Sequence, residues 1–141
     1  MAARDRMAEF WVRLSSESNR RGFLNFGTPD NASALGTSAG LGASWVIHHR
    51  AKHIRAGVVT RDIQSRDTDE VIFKIKDKQS AIEEQTGKKL IIDLPRDGSP
   101  SGRAYVRIAS FDAEDDSTWD ETIQEALDAM RVFVEVMGKK I

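Results

Sequence analysis

The fold is decided by residues 43–61, which read ASWVIHHRAKHIRAGVVTR. Apolar residues occupy alternate positions in both halves of this stretch, namely Trp45 and Ile47, then Ile54, Ala56 and Val58. An alternation of period two is typical of strands that bury one face. The stretch therefore predicts a β-hairpin, with strands over 43–49 and 53–61 and a turn at 50–52.

Outside this hairpin, three segments have the apolar spacing of amphipathic helices. The first covers residues 4–18, where apolar side chains recur at intervals of three and four. The second begins at Asp67 or Thr68 and ends at Gly87, and the third covers residues 117–137. Residues suited to helix caps at these positions support the boundaries.

A second hairpin is predicted between the last two helices, with strands over 89–94 and 102–109. The connection over 22–42 is rich in turn-forming residues, and the one element expected in it is a short strand over 34–38. We therefore expect a single α+β domain over residues 1–141. Its sheet would be four- to five-stranded and mostly antiparallel, with three helices in the order α-β(β)β-α-ββ-α.

The composition limits the classes of function. The chain has 141 residues, of which 40% are hydrophobic and 30% charged, as in a compact domain. It contains no cysteine, which excludes disulfides, thiolate catalysis and cysteine zinc sites. Its net charge of −1 is unlike that of a general nucleic-acid binder, although it is compatible with a local basic face. The charged start of the chain has no long apolar run, so we expect a cytoplasmic protein without membrane contact.

Several segments together resemble a bacterial family catalogued as domain of unknown function 4268. They are Phe10-Trp11, Gly57-Val58-Val59, AIEEQTG at 81–87, Arg103, DDSTW at 115–119 and MRVF at 130–133. The family has no established activity, and its members are often joined to nuclease-like domains. The resemblance therefore implies a setting in nucleic-acid processing or defence. The family pattern would place a glutamate near Val59, and this chain has none there.

Strand parity gathers basic residues on the side of the sheet opposite the core. Alternation with inward apolar residues turns Arg103, Tyr105 and Arg107 outward, and Arg55 and Arg61 follow the same rule. The hairpin tip adds three residues, so the candidate binding residues are Arg50, Lys52, His53, Arg55, Arg61, Arg103, Tyr105 and Arg107. Arginine holds phosphates, and an exposed aromatic ring can stack on bases. A solvent-facing sheet whose arginines pair with acids such as Asp93 is the simpler interpretation.

The histidines and the strand acids allow two further interpretations. His48 and His53 could face each other across the hairpin and bind a metal, but no motif supplies a third ligand. A magnesium-dependent nuclease would use Asp62 and Asp93, although no glutamate-x-lysine motif accompanies them. We predict no cofactor, no metal site and no catalytic residue.

The favoured hypothesis is a non-enzymatic binding or accessory module that associates with nucleic acid or with a nucleic-acid-processing protein. The alternative from another class is a magnesium-dependent nuclease, or its degenerate remnant. A third hypothesis is a homo-oligomer that self-associates through the same arginine-rich face.

Overall fold

A computed structural model describes residues 3–26, 34–40, 43–50, 53–60, 66–94, 102–108 and 111–138. The helices in these ranges are α1 (Ala3–Arg20), α2 (Arg66–Asp77), α3 (Gln79–Thr86) and α4 (Trp119–Met137), and a 3₁₀ turn over Asp116–Thr118 precedes α4. The strands are β1 (Ala34–Gly40), β2 (Ala43–Arg50), β3 (His53–Thr60), β4 (Ile91–Asp93) and β5 (Arg103–Ile108).

The strands form one five-stranded sheet in the order β1-β2-β3-β5-β4, and every neighbouring pair is antiparallel. The predicted fold class, α+β with a mostly antiparallel sheet, is confirmed. The short strand expected over 34–38 is present as β1 and extends to Gly40. The strand predicted over 89–94 is shorter in the structure than expected, where β4 contains only three residues.

The core lies between the helices and one side of the sheet. The predicted stripe of α1 is buried through Met7, Phe10, Trp11 and Leu14. These side chains join inward residues of the strands and of α4 in one apolar cluster. The tryptophans Trp11, Trp45 and Trp119 are at most 1% exposed and anchor this cluster. No helix in the described ranges combines the length and the apolar character needed to cross a bilayer.

The prediction of three helices was wrong by one, because the helix expected up to Gly87 is divided at Lys78. Lys78 has φ −102° and ψ 4°, outside the α-helical region. Its N–H lies 3.1 Å from the carbonyl oxygens of both Lys74 and Ile75. Apolar spacing continues across the break, and Ile75 and Ile82 are both fully buried. A pattern of burial alone therefore could not reveal it. Gly87 ends α3 with φ 69°, as predicted.

Candidate binding face of the sheet

The side of the sheet that faces the helices is apolar. The opposite side is mostly polar, although Val46, Val59 and Ile91 also lie on it. The inward positions of β2 and β3 include Trp45, Ile47, Ile54, Ala56 and Val58, each at most 1% exposed. Successive side chains of a strand point to opposite faces, so the residues between them point away from the core. Arg103, Tyr105 and Arg107 of β5 lie on the same outward side, because they pair with outward residues of β3. We call one group of outward residues from the three strands the basic face: His48, Arg50, His53, Arg55, Gly57, Arg103, Tyr105 and Arg107.

Strand pairing places the members of the basic face side by side. In the β3–β5 pair, Arg55 lies opposite Arg107 and Gly57 lies opposite Tyr105. In the β2–β3 pair, the same Arg55 lies opposite His48. Arg55 is thus at the centre of the face, with a basic or polar neighbour on each adjacent strand.

Most of the predicted binding residues meet on this face. The structure places Arg50, His53, Arg55, Arg103, Tyr105 and Arg107 there, in agreement with the parity argument. The remaining two, Lys52 and Arg61, lie outside the described residues. The sequence reasoning missed His48 as a member. Its alternation with Trp45 and Ile47 was the signal that could have included it.

Tyr105 does not offer the exposed ring that stacking on bases would require. Only 7% of the surface of Tyr105 is exposed to solvent. The Arg55 guanidinium carbon lies 4.4 Å from the centre of the Tyr105 ring, a cation–π arrangement that covers the ring. The expectation of an accessible aromatic platform at Tyr105 was therefore wrong. The group presented at this point is the guanidinium of Arg55, supported by the ring beneath it.

Gly57 is what lets β3 and β5 approach each other at the middle of the face. A Cβ atom built on Gly57 would lie 1.9 Å from the carbonyl oxygen of Ala104 and 2.7 Å from Cα of Tyr105. Both obstacles are backbone atoms, so no rotation of a side chain could relieve the overlap. The pairing that brings Tyr105 under Arg55 consequently requires glycine at this position.

The histidines of the face are shifted toward their neutral form. Burial lowers the pKa of His48 to about 4, and the charges of Arg103, Arg55 and Arg50 act in the same direction. Burial and the charges of Arg55 and Arg107 likewise lower the pKa of His53. The Arg55 Nε–H donates a hydrogen bond of 3.2 Å to Nε2 of His53, which must be unprotonated to accept it. The positive charge of the face therefore resides on its arginines.

Ion pairs within 4.0 Å do not involve those arginines in the part of the chain that the structure describes. None of the four forms an ion pair there: Arg50, Arg55, Arg103 and Arg107. Asp93, the acid expected to pair with them, lies opposite Arg103 in the strand register. The buried Nε of Arg103 has no hydrogen-bond partner among the described atoms. Within the described residues, the face thus carries four arginines that form no ion pair, on a chain whose net charge is −1.

The described ranges do not bring His48 and His53 together as a pair of metal ligands. His48 lies opposite Arg55 and His53 lies opposite Arg50, so the two histidines are not direct cross-strand partners. The described residues include no group of three or more histidine or acidic side chains that could hold a metal ion. Asp62, which the nuclease hypothesis needs beside Asp93, lies outside the described residues.

Comparisons with known proteins identify no family for this chain. No family model matches it, and no curated protein matches it. One solved structure is similar at low level: the crystal structure of YbjN from E. coli, a candidate transcription regulator. The two chains share 12% identity with a TM-score of 0.41, over 89% of this chain and 90% of the other. A likeness at this TM-score supports no inference about fold or function.

Proposed function

We propose that this protein is a non-enzymatic module that binds nucleic acid through the phosphates, using the basic face of its sheet. The observation that carries the proposal is the gathering of four arginines on that face without an ion-pair partner among the described residues. Guanidinium groups bind phosphate oxygens in bidentate geometry, and phosphate neutralisation drives most nucleic-acid affinity.

This arrangement is unfavourable for the isolated domain. Arg55 and Arg107 are like charges directly opposite each other on neighbouring strands, a pairing that costs about 0.5 kcal/mol. A polyanionic ligand would remove this cost, because its charge would screen the repulsion. An uncharged ligand would not.

The burial of Tyr105 favours contacts to the phosphate backbone over contacts to bases. Stacking on bases needs an open aromatic face, and Arg55 covers the ring of Tyr105. We therefore expect binding with little dependence on sequence. Neutralising about four phosphates of a duplex predicts a slope of about −3.6 for log K against log salt concentration.

The resemblance to domain of unknown function 4268 supports the same proposal. Members of that family are often joined to nuclease-like domains, where a module that holds the nucleic acid would serve the enzyme. We propose this membership together with that supporting role, and the association with a nucleic-acid-processing protein would follow from it.

The decisive experiment compares two double charge reversals. Arg103→Glu with Arg107→Glu reverses the basic face, whereas Lys74→Glu with Lys76→Glu reverses two exposed lysines of α2. Both variants change the net charge equally, so a general loss of attraction would affect them alike. We expect the first to weaken binding to a short duplex roughly 100-fold or more at low salt, and the second less than about three-fold.

Fluorescence anisotropy with labelled duplex DNA, single-stranded DNA and RNA gives the measurement, and circular dichroism verifies folding. Arg103 is half-buried, so its replacement by glutamate could disturb the fold. Arg107 is exposed, and the single variant Arg107→Glu therefore provides a milder test, with an expected loss in affinity of roughly ten-fold. The proposal fails if the wild-type protein binds none of the three probes at low salt, or if both double variants lose affinity equally.

A further inference from the structure

The two edges of the sheet differ in their protection against pairing with another strand. The β4 edge has only three residues and includes the charged Asp93. Short length and charge are the usual devices that prevent edge-to-edge association. The β1 edge has seven residues, ALGTSAG, with no charged residue and no proline. No strand lies beyond β1 in the described part of the chain.

The β1 strand is also suited to pair with its own copy. Its register with β2 is regular from Ala34 to Ser38, and the irregularity that follows lies between Ser38 and Gly40. Antiparallel pairing of this regular stretch with itself would place Gly36 opposite Gly36 and Leu35 opposite Thr37. No like charges meet in this arrangement, and no pair combines two large side chains.

We propose that the β1 edge is a homodimer interface, through which two copies join their five-stranded sheets into one continuous antiparallel sheet. A second copy fits better than a foreign peptide, because strand addition of peptides gains specificity from side-chain pockets along the edge. The outward residues of β1 include Gly36 and Ser38, which are small and exposed. This interface is distinct from the basic face, where self-association would bring like charges together.

Gly36 provides a test that leaves the fold of each subunit intact. A Cβ atom at this position would meet Val46 Cγ2 at 3.4 Å and the Trp45 carbonyl oxygen at 3.5 Å, which is ordinary contact. Gly36→Lys places two lysines opposite each other in the dimer, and Gly36→Glu places two glutamates there. Each variant alone should lose roughly ten-fold or more in association constant. An equal mixture should recover dimerisation, because lysine then faces glutamate.

Sedimentation velocity over a range of protein concentrations measures the association. The wild type and the uncharged control Gly36→Thr should both form dimers, and thermal melting verifies that every variant is folded. A wild type that stays monomeric at the highest concentration would overturn the proposal. So would Gly36→Lys dimers as strong as those of the wild type. Nucleic-acid affinity is measured separately, so either proposal can fail without the other.

Discussion

The arginines near α1 and the arginines of the basic face are in opposite environments. Each of the first group lies within 4.0 Å of a carboxylate: Arg6 of Glu114, Arg13 of Glu9, Arg20 of Glu17, and Arg21 of Glu17 and Asp128. None of the four arginines of the basic face has such a partner among the described residues. The same residue type therefore occurs in two different electrostatic environments of one fold.

The pKa values of neighbouring groups report the same difference. Hydrogen bonds from Arg20 and, to a smaller extent, Gln124 and Arg21 lower the pKa of Glu17 to about 2, so its negative charge is stabilised. On the basic face, burial and three arginines lower the pKa of His48 to about 4, so a further positive charge is resisted. The charges near α1 are balanced by carboxylates of the fold. The arginines of the basic face form no ion pair with another described residue.

The largest loss of stability is expected at Gly57, where the backbones of β3 and β5 approach each other closely. Gly57→Ala forces a Cβ atom against the carbonyl oxygen of Ala104, so β3 and β5 must separate. We expect a loss of about 3 kcal/mol in the free energy of unfolding and a fall in Tm of roughly 10 °C. Gly36→Ala is the matched control, because its Cβ meets only ordinary contacts, and its Tm should stay within about 2 °C of the wild type. Differential scanning calorimetry would contradict the close approach if the two variants melted alike.

The sequence was sufficient to predict the faces of the sheet because alternation is a local property. Trp45 and Ile47 fix the inward side of β2, and the parity of every neighbour follows from them. The same rule placed Arg103 and Arg107 correctly, since the apolar residues of β5 alternate with them. A property that depends on one strand alone could thus be derived without coordinates.

The environment of Tyr105 could not be derived in this way, because it depends on pairing between distant strands. Its burial requires Gly57 opposite it and Arg55 above it, and neither follows from the spacing within β5. The pairing register is set by turns and by packing across the sheet. The ion pairs that Arg103 forms or lacks among the described residues are non-local for the same reason, because they depend on how distant strands pair.

The second-largest effect is the pH dependence of the free energy of unfolding. It tests whether the basic face keeps His48 unprotonated. The pKa of His48 is about 4 in the folded chain and about 6.5 when unfolded. Between these values the unfolded chain binds a proton that the folded chain does not, so stability should fall as pH decreases from 6.5 to 4. We expect a loss of about 2 kcal/mol from this residue, after allowing for partial exposure of its ring to solvent. The lowered pKa of His53 acts in the same direction.

Urea denaturation at several pH values gives the measurement, and His48→Gln is the matched variant. Its stability should decrease less steeply between pH 6.5 and 4 than that of the wild type. Glu17 causes a separate loss of stability at lower pH, between its ordinary pKa of 4.5 and its lowered pKa of about 2. This loss should be present in both proteins. Identical slopes above pH 4.5 would show that burial and the neighbouring arginines do not lower the pKa of His48 in the folded chain.

The smallest effect separates the two groups of arginines most directly. Arg21→Ala removes the contacts of Arg21 Nη1 with Asp128 at 3.0 Å and of its Nε with Glu17 at 3.3 Å, and should cost about 1 kcal/mol. Arg107→Ala removes an exposed charge opposite Arg55, and should leave stability unchanged or raise it by about 0.5 kcal/mol. The free energies of unfolding, measured at equilibrium in low salt, distinguish the expected loss from the expected gain in stability. High salt should reduce both changes, because each is electrostatic. If both variants were destabilised equally, Arg107 would have a partner that supports the fold, and its charge would not be free to bind phosphates.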